Sequence, residues 1–456
     1  MKPLLIKNGI IVTETDTNNM DILCENGIIT KIEHNINIPD ANIVDATGLF
    51  VLPGGVDQHV HFNFSMNNNT YYSWASSKAA TVSGTTTVID FLNQKPNKSI
   101  KESLDEYTQL AIKGNTFCDY GLHIILNSMD YNTLDELKNL LDYGIGTCKI
   151  FTAFKGETHY CPDEVILKIL SFSKEVGFSV MVHAENPDII KMLQQKSIYE
   201  NKLSPDNHYK TRPYISEIEA VSKMIYFAEF TGANICFAHI STKESVELIK
   251  NAKKRGLNVF GETCPHYLLF TQEQLDKSPE ESIKFICSPP LREKYNLQHI
   301  WKALQEDVLS FISSDHSDIN WKNHKMFGLN NYLQVPNGCP GLAERFPIIW
   351  SEGVKKGFLT PQQFVKLCCT NPAKFNGLYP KKGTLSIGSD ADIVLLNTNK
   401  KTIIHPSPYT ISDYSIYDKM VCECFIEKVF IRGKLMAEKG KFVGSVLENA
   451  FVPAMF

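Results

Sequence analysis

Hydrophobic positions along this chain follow two periods, and the change of period divides it. Over the first fifty residues apolar side chains alternate with polar ones or gather in short runs: LLIKNGIIV, MDILCENGIITKIEH and ANIVDATGLFVLPG, with Asn-Gly and Thr-Gly turns between them. Period two, punctuated by turn residues, predicts β-strands. The same style returns near the other end in GTLSIGSDADIVLLN and MVCECFIEKVFIRGKLM. Between these ends, β-rich apolar runs alternate with amphipathic stretches. The runs predict strands at Val56–Phe62, Thr87–Phe91, Tyr120–Leu126, Thr147–Phe151, Ser179–His183, Asn234–His239, Leu257–Glu262 and Leu309–Ser314. The stretches DELKNLLDYG, EVILKILSFSKEVG, SEIEAVSKMIYFAEFTG and TKESVELIKNAKKRG repeat at helical spacing. Strand and helix in alternation over roughly 250 residues predict an α/β protein built on a (β/α)8 TIM barrel. Both chain ends then form one small β-sandwich. The divisions fall at 1–52 for its N-terminal part, 53–383 for the barrel, 384–435 for its C-terminal part and 436–456 for a tail. An open doubly wound sheet is the alternative fold, disfavoured because the first β-α turn lacks a GxGxxG fingerprint.

Composition narrows the classes of function. A chain of 456 residues with 43% hydrophobic and 21% charged residues is ordinary for a soluble globular protein. The formal net charge of −4 implies no basic surface for nucleic acid. No apolar run reaches membrane-span length, and the first residues, MKPLLIKNGIIVTETD, lack the features of a signal peptide. The twelve cysteines lie scattered without CxxC pairs and read as reduced thiols. Together these predict a cytoplasmic protein with no membrane partner.

Candidate chemistry sits where the predicted strands end. In VLPGGVDQHVHF, His59 and His61 are two residues apart on a strand, so both rings project to one side and can grip one cation. Two polar residues on the exposed side of an edge strand would look the same. Lys149 lies in the strand of GIGTCKIFTAFKG, His183 closes SVMVHAEN, His239 closes NICFAHIS, and Asp315 ends LSFISSDHS. Singly, each reads as a satisfied core histidine, a capping aspartate or a snorkelling lysine. In a barrel, however, the C-terminal ends of all strands open on one face, the face that carries chemistry. His59, His61, Lys149, His183, His239 and Asp315 would converge there, as imidazole and carboxylate ligands suited to zinc.

The words around these residues resemble a known family. PGGVDQHVHF, GTTTVIDF, CKIFTAF, VHAENPDII, FAHIST, ETCPHYLL, CSPPLREK, SSDHS and VPNGCPG are similar to segments of the amidohydrolase superfamily, in its cyclic amidase branch of dihydropyrimidinases and hydantoinases. The resemblance implies two zinc ions per chain. His59, His61 and Asp315 would bind one, His183 and His239 the other, and Lys149 would bridge both as an N6-carboxylated carbamate. Burial and nearby cations favour the neutral amine, which captures carbon dioxide and becomes a bidentate anion. A lysine held in a salt bridge is the alternative. The implied reaction is ring opening of a small cyclic ureide, a dihydropyrimidine or a 5-substituted hydantoin. Asp315 would be catalytic, accepting the proton of the attacking water and passing it to the leaving nitrogen. Ser288 and Asn337 match family positions that hold the imide edge of the ring, although SPP and PNG are turn words in any protein.

Two residues depart from the pattern of that branch. Relatives carry a tyrosine five residues after the bridging lysine, where its hydroxyl supports the developing oxyanion; here the position is Phe154. Asn63 follows His61 by two, an HxHxN start more like that of allantoinases, whereas dihydroorotases place an arginine there. The next segment, FSMNNNTYY, matches neither group and is expected to form a loop over the site. Allantoinase is therefore one alternative function. A non-catalytic assembly protein of the same branch is another, weighed against by the presence of all six ligand positions. The resemblance also implies a homotetramer, with the apolar tail ENAFVPAMF expected to pack on a neighbouring subunit.

Overall fold

The computed structural model describes residues 2–66, 69–95, 98–126, 135–157 and 159–455. Eight parallel strands alternate with helices to make the barrel. In sheet order they are Gly55–His61, Thr85–Asn93, Asp119–Ile125, Thr147–Phe151, Ser179–His183, Ile235–Phe237, Val259–Thr263 and an eighth strand in two pieces. Phe311–Ile312 pairs with the seventh strand and His316–Ser317 with the first, so the broken strand closes the ring. The break spans 313–315, and Asp315 within it has φ of 49°.

Helix ends follow their sequence signals. Asp163–Val176 and Tyr214–Thr231 stop at Gly177 and Gly232, both in the left-handed region that glycine adopts freely. Thr242 caps Lys243–Lys254 by accepting from the Ser245 backbone. The stretch DELKNLLDYG differs from its helical pattern: Leu137–Asn139 is a 3-10 turn, and residues 127–134 before it lie outside the described residues. Leu137 and Leu140, three apart, are both buried by that tighter turn.

Strands from both chain ends share a second, nine-stranded sheet, joined where Phe50–Pro53 runs antiparallel to Ile393–Asn397. It extends through Phe425–Ile431 and Lys434–Glu438 to Lys441–Phe442. Alternation along one strand shows what each face covers. Ile393 and Leu395 pack with Ile6, Ile22 and Phe430, while Val394 and Leu396 join the barrel core beside Val12, Leu52 and Val429. Asn26 and Gly27, with φ of 52° and 86°, make the tight turn between Thr17–Glu25 and Ile28–Glu33. The similar pair Asn8–Gly9 is instead a bulge inside Leu4–Val12.

The C-terminal tail packs in part against its own chain. It lies on this chain's own barrel, with Tyr120 donating to the Ala450 carbonyl and Val452 donating back to Tyr120, each at 2.8 Å. Val452 is buried against Val56 and Ile89. Ala450 and Val452 are covered within the chain, while Met455 stays about half exposed at 51%. All twelve cysteines are free and buried. Among the described residues, no helix is long and apolar enough to cross a membrane.

Candidate metal centre

The first barrel strand buries His59 and brings His61 to the rim. His59 Nε2 lies 3.2 Å from Asp315 Oδ1, and His61 Nε2 lies 3.4 Å from the same oxygen. One ligand atom from each of the three falls within 4.8 Å of the others. The second nitrogen of His59 is already committed: Nδ1 is 2.6 Å from Glu262 Oε1, so the proton rests on Nδ1 and Nε2 presents its lone pair. Burial, with the nearby Lys149 charge, pushes the His59 pKa well below its ordinary value. A neutral ring is the form that binds metal. Burial raises the Asp315 carboxyl, but His59 and His61 beside it prevail and hold it down at about 2.

His183 closes the fifth strand with the same kind of support. Its Nε2 is 2.8 Å from Glu185 Oε2, which leaves Nδ1 for a metal. Glu185 is buried, yet the Arg212 guanidinium at 2.5 Å overcomes that burial and keeps its pKa near 2. The His239 ring lies 4.6 Å from that of His183 and 5.5 Å from that of His59. Its buried Nδ1 has no hydrogen-bond partner among the described residues.

Lys149 answers the salt-bridge alternative directly. Its Nζ is buried with no hydrogen-bond partner among the described residues, set 5.3 Å and 5.5 Å from the ring centroids of Phe91 and Phe151. Burial lowers its pKa to about 8, against the opposing pull of Glu262 and Asp315. Unpaired buried polar atoms are rare, because each forfeits about 1–3 kcal/mol of solvation. Here Lys149 Nζ and His239 Nδ1 both lie in a cluster of imidazoles and carboxylates. That donor set fits divalent metals and a lysine able to react as a free amine.

These side chains line one cleft of about 550 Å³, together with Phe154, Ser288, Asn337 and Asn63. The sequence-predicted residues thus meet in one place. Ser288 Oγ donates to Asn337 Oδ1 at 2.8 Å, which ties the two turn segments to each other. The Asn63 amide is held by its surroundings, donating to Tyr107 Oη at 2.7 Å and accepting from Asn93 at 3.3 Å. Phe154 has its ring 5.1 Å from that of His183 and 5.0 Å from the Arg212 guanidinium. In place of the loop expected after Asn63, the backbone forms a hairpin, Asn63–Met66 with Asn69–Tyr72; residues 67–68 lie outside the described residues. Tyr72 reaches the cleft. Phe154, His239 and Asp315 all have φ between 40° and 63°, a conformation that costs a non-glycine residue on the order of 1–3 kcal/mol. The surrounding packing holds two candidate ligands in that strained shape.

Three supporting residues were missed in the sequence reading: Glu262, Glu185 and Arg212. Glu262 lies in the seventh strand, where the strand-end reasoning would have found it, and Gln58 and Ser313 hold its second oxygen at 2.8 Å each. Glu185 follows His183 by two residues. Arg212 comes from a connection between helices and carries no local signal. Glu262→Gln keeps the size of the side chain but removes the charge that fixes the His59 tautomer. Metal affinity is expected to fall about 10–100-fold, read by competition with a chelator, with the fold unchanged. Unaltered affinity would remove Glu262 from this orienting role.

Comparison with known proteins agrees with the site. Residues 50–436 match the model of the amidohydrolase family. The D-hydantoinase of Geobacillus stearothermophilus is 36% identical over 446 residues, covering 96% of this chain and 94% of that protein. The solved dihydropyrimidinase from Brevibacillus agri superposes with a TM-score of 0.94 at 33% identity, covering 97% of both chains. An L-hydantoinase (dihydropyrimidinase) from Arthrobacter aurescens does so with a TM-score of 0.89 at 28% identity, covering 98% of each. The six ligand candidates, the split barrel strand and the full-length likeness agree: this chain belongs to the amidohydrolase family, in the branch of hydantoinases and dihydropyrimidinases.

Proposed function

We propose that this chain is a metal-dependent hydrolase of the hydantoinase type, cleaving one C–N bond of a small cyclic ureide and so opening its ring. The observation that carries this reading is the meeting of His59, His61, Lys149, His183, His239 and Asp315 in one cleft, with the Lys149 amine buried and without a hydrogen-bond partner among the described residues. His59, His61 and Asp315 would hold one zinc ion and His183 and His239 a second, with Lys149, carboxylated on Nζ, completing the ligand set. When bound, such metals acidify a water and polarise a carbonyl.

The residues of the chain do the rest. Asp315 takes a proton from the attacking water and delivers it to the ring nitrogen as the C–N bond breaks. Its low pKa keeps it anionic and ready to accept. The linked segments at Ser288 and Asn337 hold the imide edge of the ring, and Phe154 forms an apolar wall over His183. The substrates are dihydropyrimidines or 5-substituted hydantoins. A cytoplasmic homotetramer is the form we assign, supported by the free buried cysteines and by Tyr226 and Phe230, exposed on helix Tyr214–Thr231.

The test is a ring-opening panel with protein loaded with zinc and bicarbonate. Turnover of dihydrouracil and of a 5-substituted hydantoin is expected. Turnover of allantoin alone would replace the reading with allantoinase. No bound metal and no turnover of any ring would replace it with a non-catalytic assembly protein.

Phe154 sharpens the substrate assignment. Phe154→Tyr would add a donor aimed at charge that develops only in the transition state. Its expected effect is a rise of about tenfold in kcat on dihydrouracil, with KM little changed. If Phe154 instead packs on the substituent of the true substrate, tyrosine lowers activity on bulky hydantoins and improves nothing. Steady-state constants for both ring types decide between the two.

A further inference from the structure

Cys264 and His266 lie just beyond the seventh barrel strand, and neither takes part in the reaction above. Both are buried, Cys264 completely and His266 to within 3%. The Cys264 thiol, a ring nitrogen of His266 and a carboxylate oxygen of Asp315 all lie within 4.8 Å of one another. Pro265 between the two opens the short helix Pro265–Leu269. A second observation points to a ligand: His266 Nε2 is buried with no hydrogen-bond partner among the described residues. A buried imidazole ordinarily pairs with protein or water.

Thiol, imidazole and carboxylate together select soft or borderline cations over magnesium and calcium, which prefer oxygen alone. The Asp315 carboxylate is shared. It lies within reach of both His59 and His61 and the Cys264–His266 pair. Asp315 also lines the cleft, so a cation entering there meets the carboxylate before it meets the thiol.

We propose that Cys264, His266 and Asp315 form a third metal site, selective for thiophilic cations such as cadmium or mercury, whose occupation draws Asp315 from His59 and His61 and stops turnover. On binding, the Cys264 S–H bond breaks and a sulfur–metal bond forms. The proton leaves to solvent, His266 supplies a neutral lone pair, and no oxidation state changes. The binding stands independently of the ring-opening reading; only the inhibition rests on it. A nearby rival exists in Cys287 and Cys339, both buried, whose thiols donate to the Pro289 and Lys284 carbonyls. They flank Ser288 and, one residue beyond Gly338, Asn337, so they too would attract such cations.

The experiment titrates zinc-loaded, full-length protein with cadmium chloride. It reads the ultraviolet thiolate-to-cadmium absorption, and the cadmium and zinc retained per chain after desalting. One added cadmium with that absorption is expected, with zinc retained. Cys264→Ser, with Cys264→Ala should the serine variant fold poorly, loses both the absorption and the added ion. His266→Gln weakens uptake at least about tenfold. The double variant Cys287→Ser with Cys339→Ser behaves as the parent. Where ring opening is measurable, Cys264→Ser keeps its basal rate and resists cadmium. An unchanged cadmium signal in Cys264→Ser, a signal that follows the Cys287–Cys339 pair, or uptake only in exchange for zinc would each overturn the site. A chain with no ring-opening activity still decides the binding.

Discussion

Asp315→Asn is expected to lower kcat by about a thousandfold while KM changes little, because asparagine cannot carry the proton to the leaving nitrogen. The substitution is well suited to isolating that role. Asp315 sits in the break of the eighth strand with φ of 49°, and asparagine is among the few residues that tolerate this conformation. Its carbonyl oxygen can still face His59 and His61, which lie 3.2 Å and 3.4 Å from the present carboxylate. The fold should therefore survive, and some metal with it. Rates are best compared per bound metal, so that loss of a ligand is separated from loss of the shuttle. The parent carboxyl is anionic down to about pH 2, so its own protonation should not shape the acid limb of the rate profile at any milder pH. A variant with full metal and near-normal turnover would take the proton-transfer role from Asp315.

Strand-end chemistry was legible in the sequence where the backbone keeps its strand geometry. His59 and His61 share a side through simple alternation, and Lys149 and His183 lie within strands that the apolar runs delimit. His239 and Asp315 were found by the same rule, yet their strands, Ile235–Phe237 and Phe311–Ile312, end earlier than the apolar runs. Both residues then turn into the left-handed region, and hydrophobic periodicity carries no trace of such a turn. Glu262 and Arg212 act across the fold: Glu262 reaches His59 from 203 positions away, and only barrel closure brings them together. The tail shows the same limit from another side. Apolar composition says that ENAFVPAMF wants cover, and it does not say that the barrel strand of Tyr120 takes up Ala450 and Val452.

Lys149→Ala is expected to leave the protein short of metal and without detectable turnover, and added short-chain carboxylic acids should restore part of both. The reason lies in where the amine sits. Its Nζ is buried near the rings of Phe91 and Phe151 with no hydrogen-bond partner among the described residues, close enough to His59, His183 and His239 for its charge to be felt at all three. Alanine opens a space there that a small carboxylate can enter, offering the bidentate anion that a carbamate would have offered. Lys149→Met fills the same space with an apolar chain of similar length and should not be rescued. Methionine should also leave the metal-free protein at least as stable as the parent, because an unpaired buried ammonium is unfavourable. Its melting temperature reads this directly. In the parent, carboxylation requires the neutral amine, so reloading with zinc and bicarbonate should be fastest above about pH 8 and slow about tenfold per pH unit below it. Full metal content and activity in Lys149→Met would leave no place for a carbamate in this site. Rescue of the alanine variant alone, lost in the methionine variant, would place the missing anion at Nζ of Lys149.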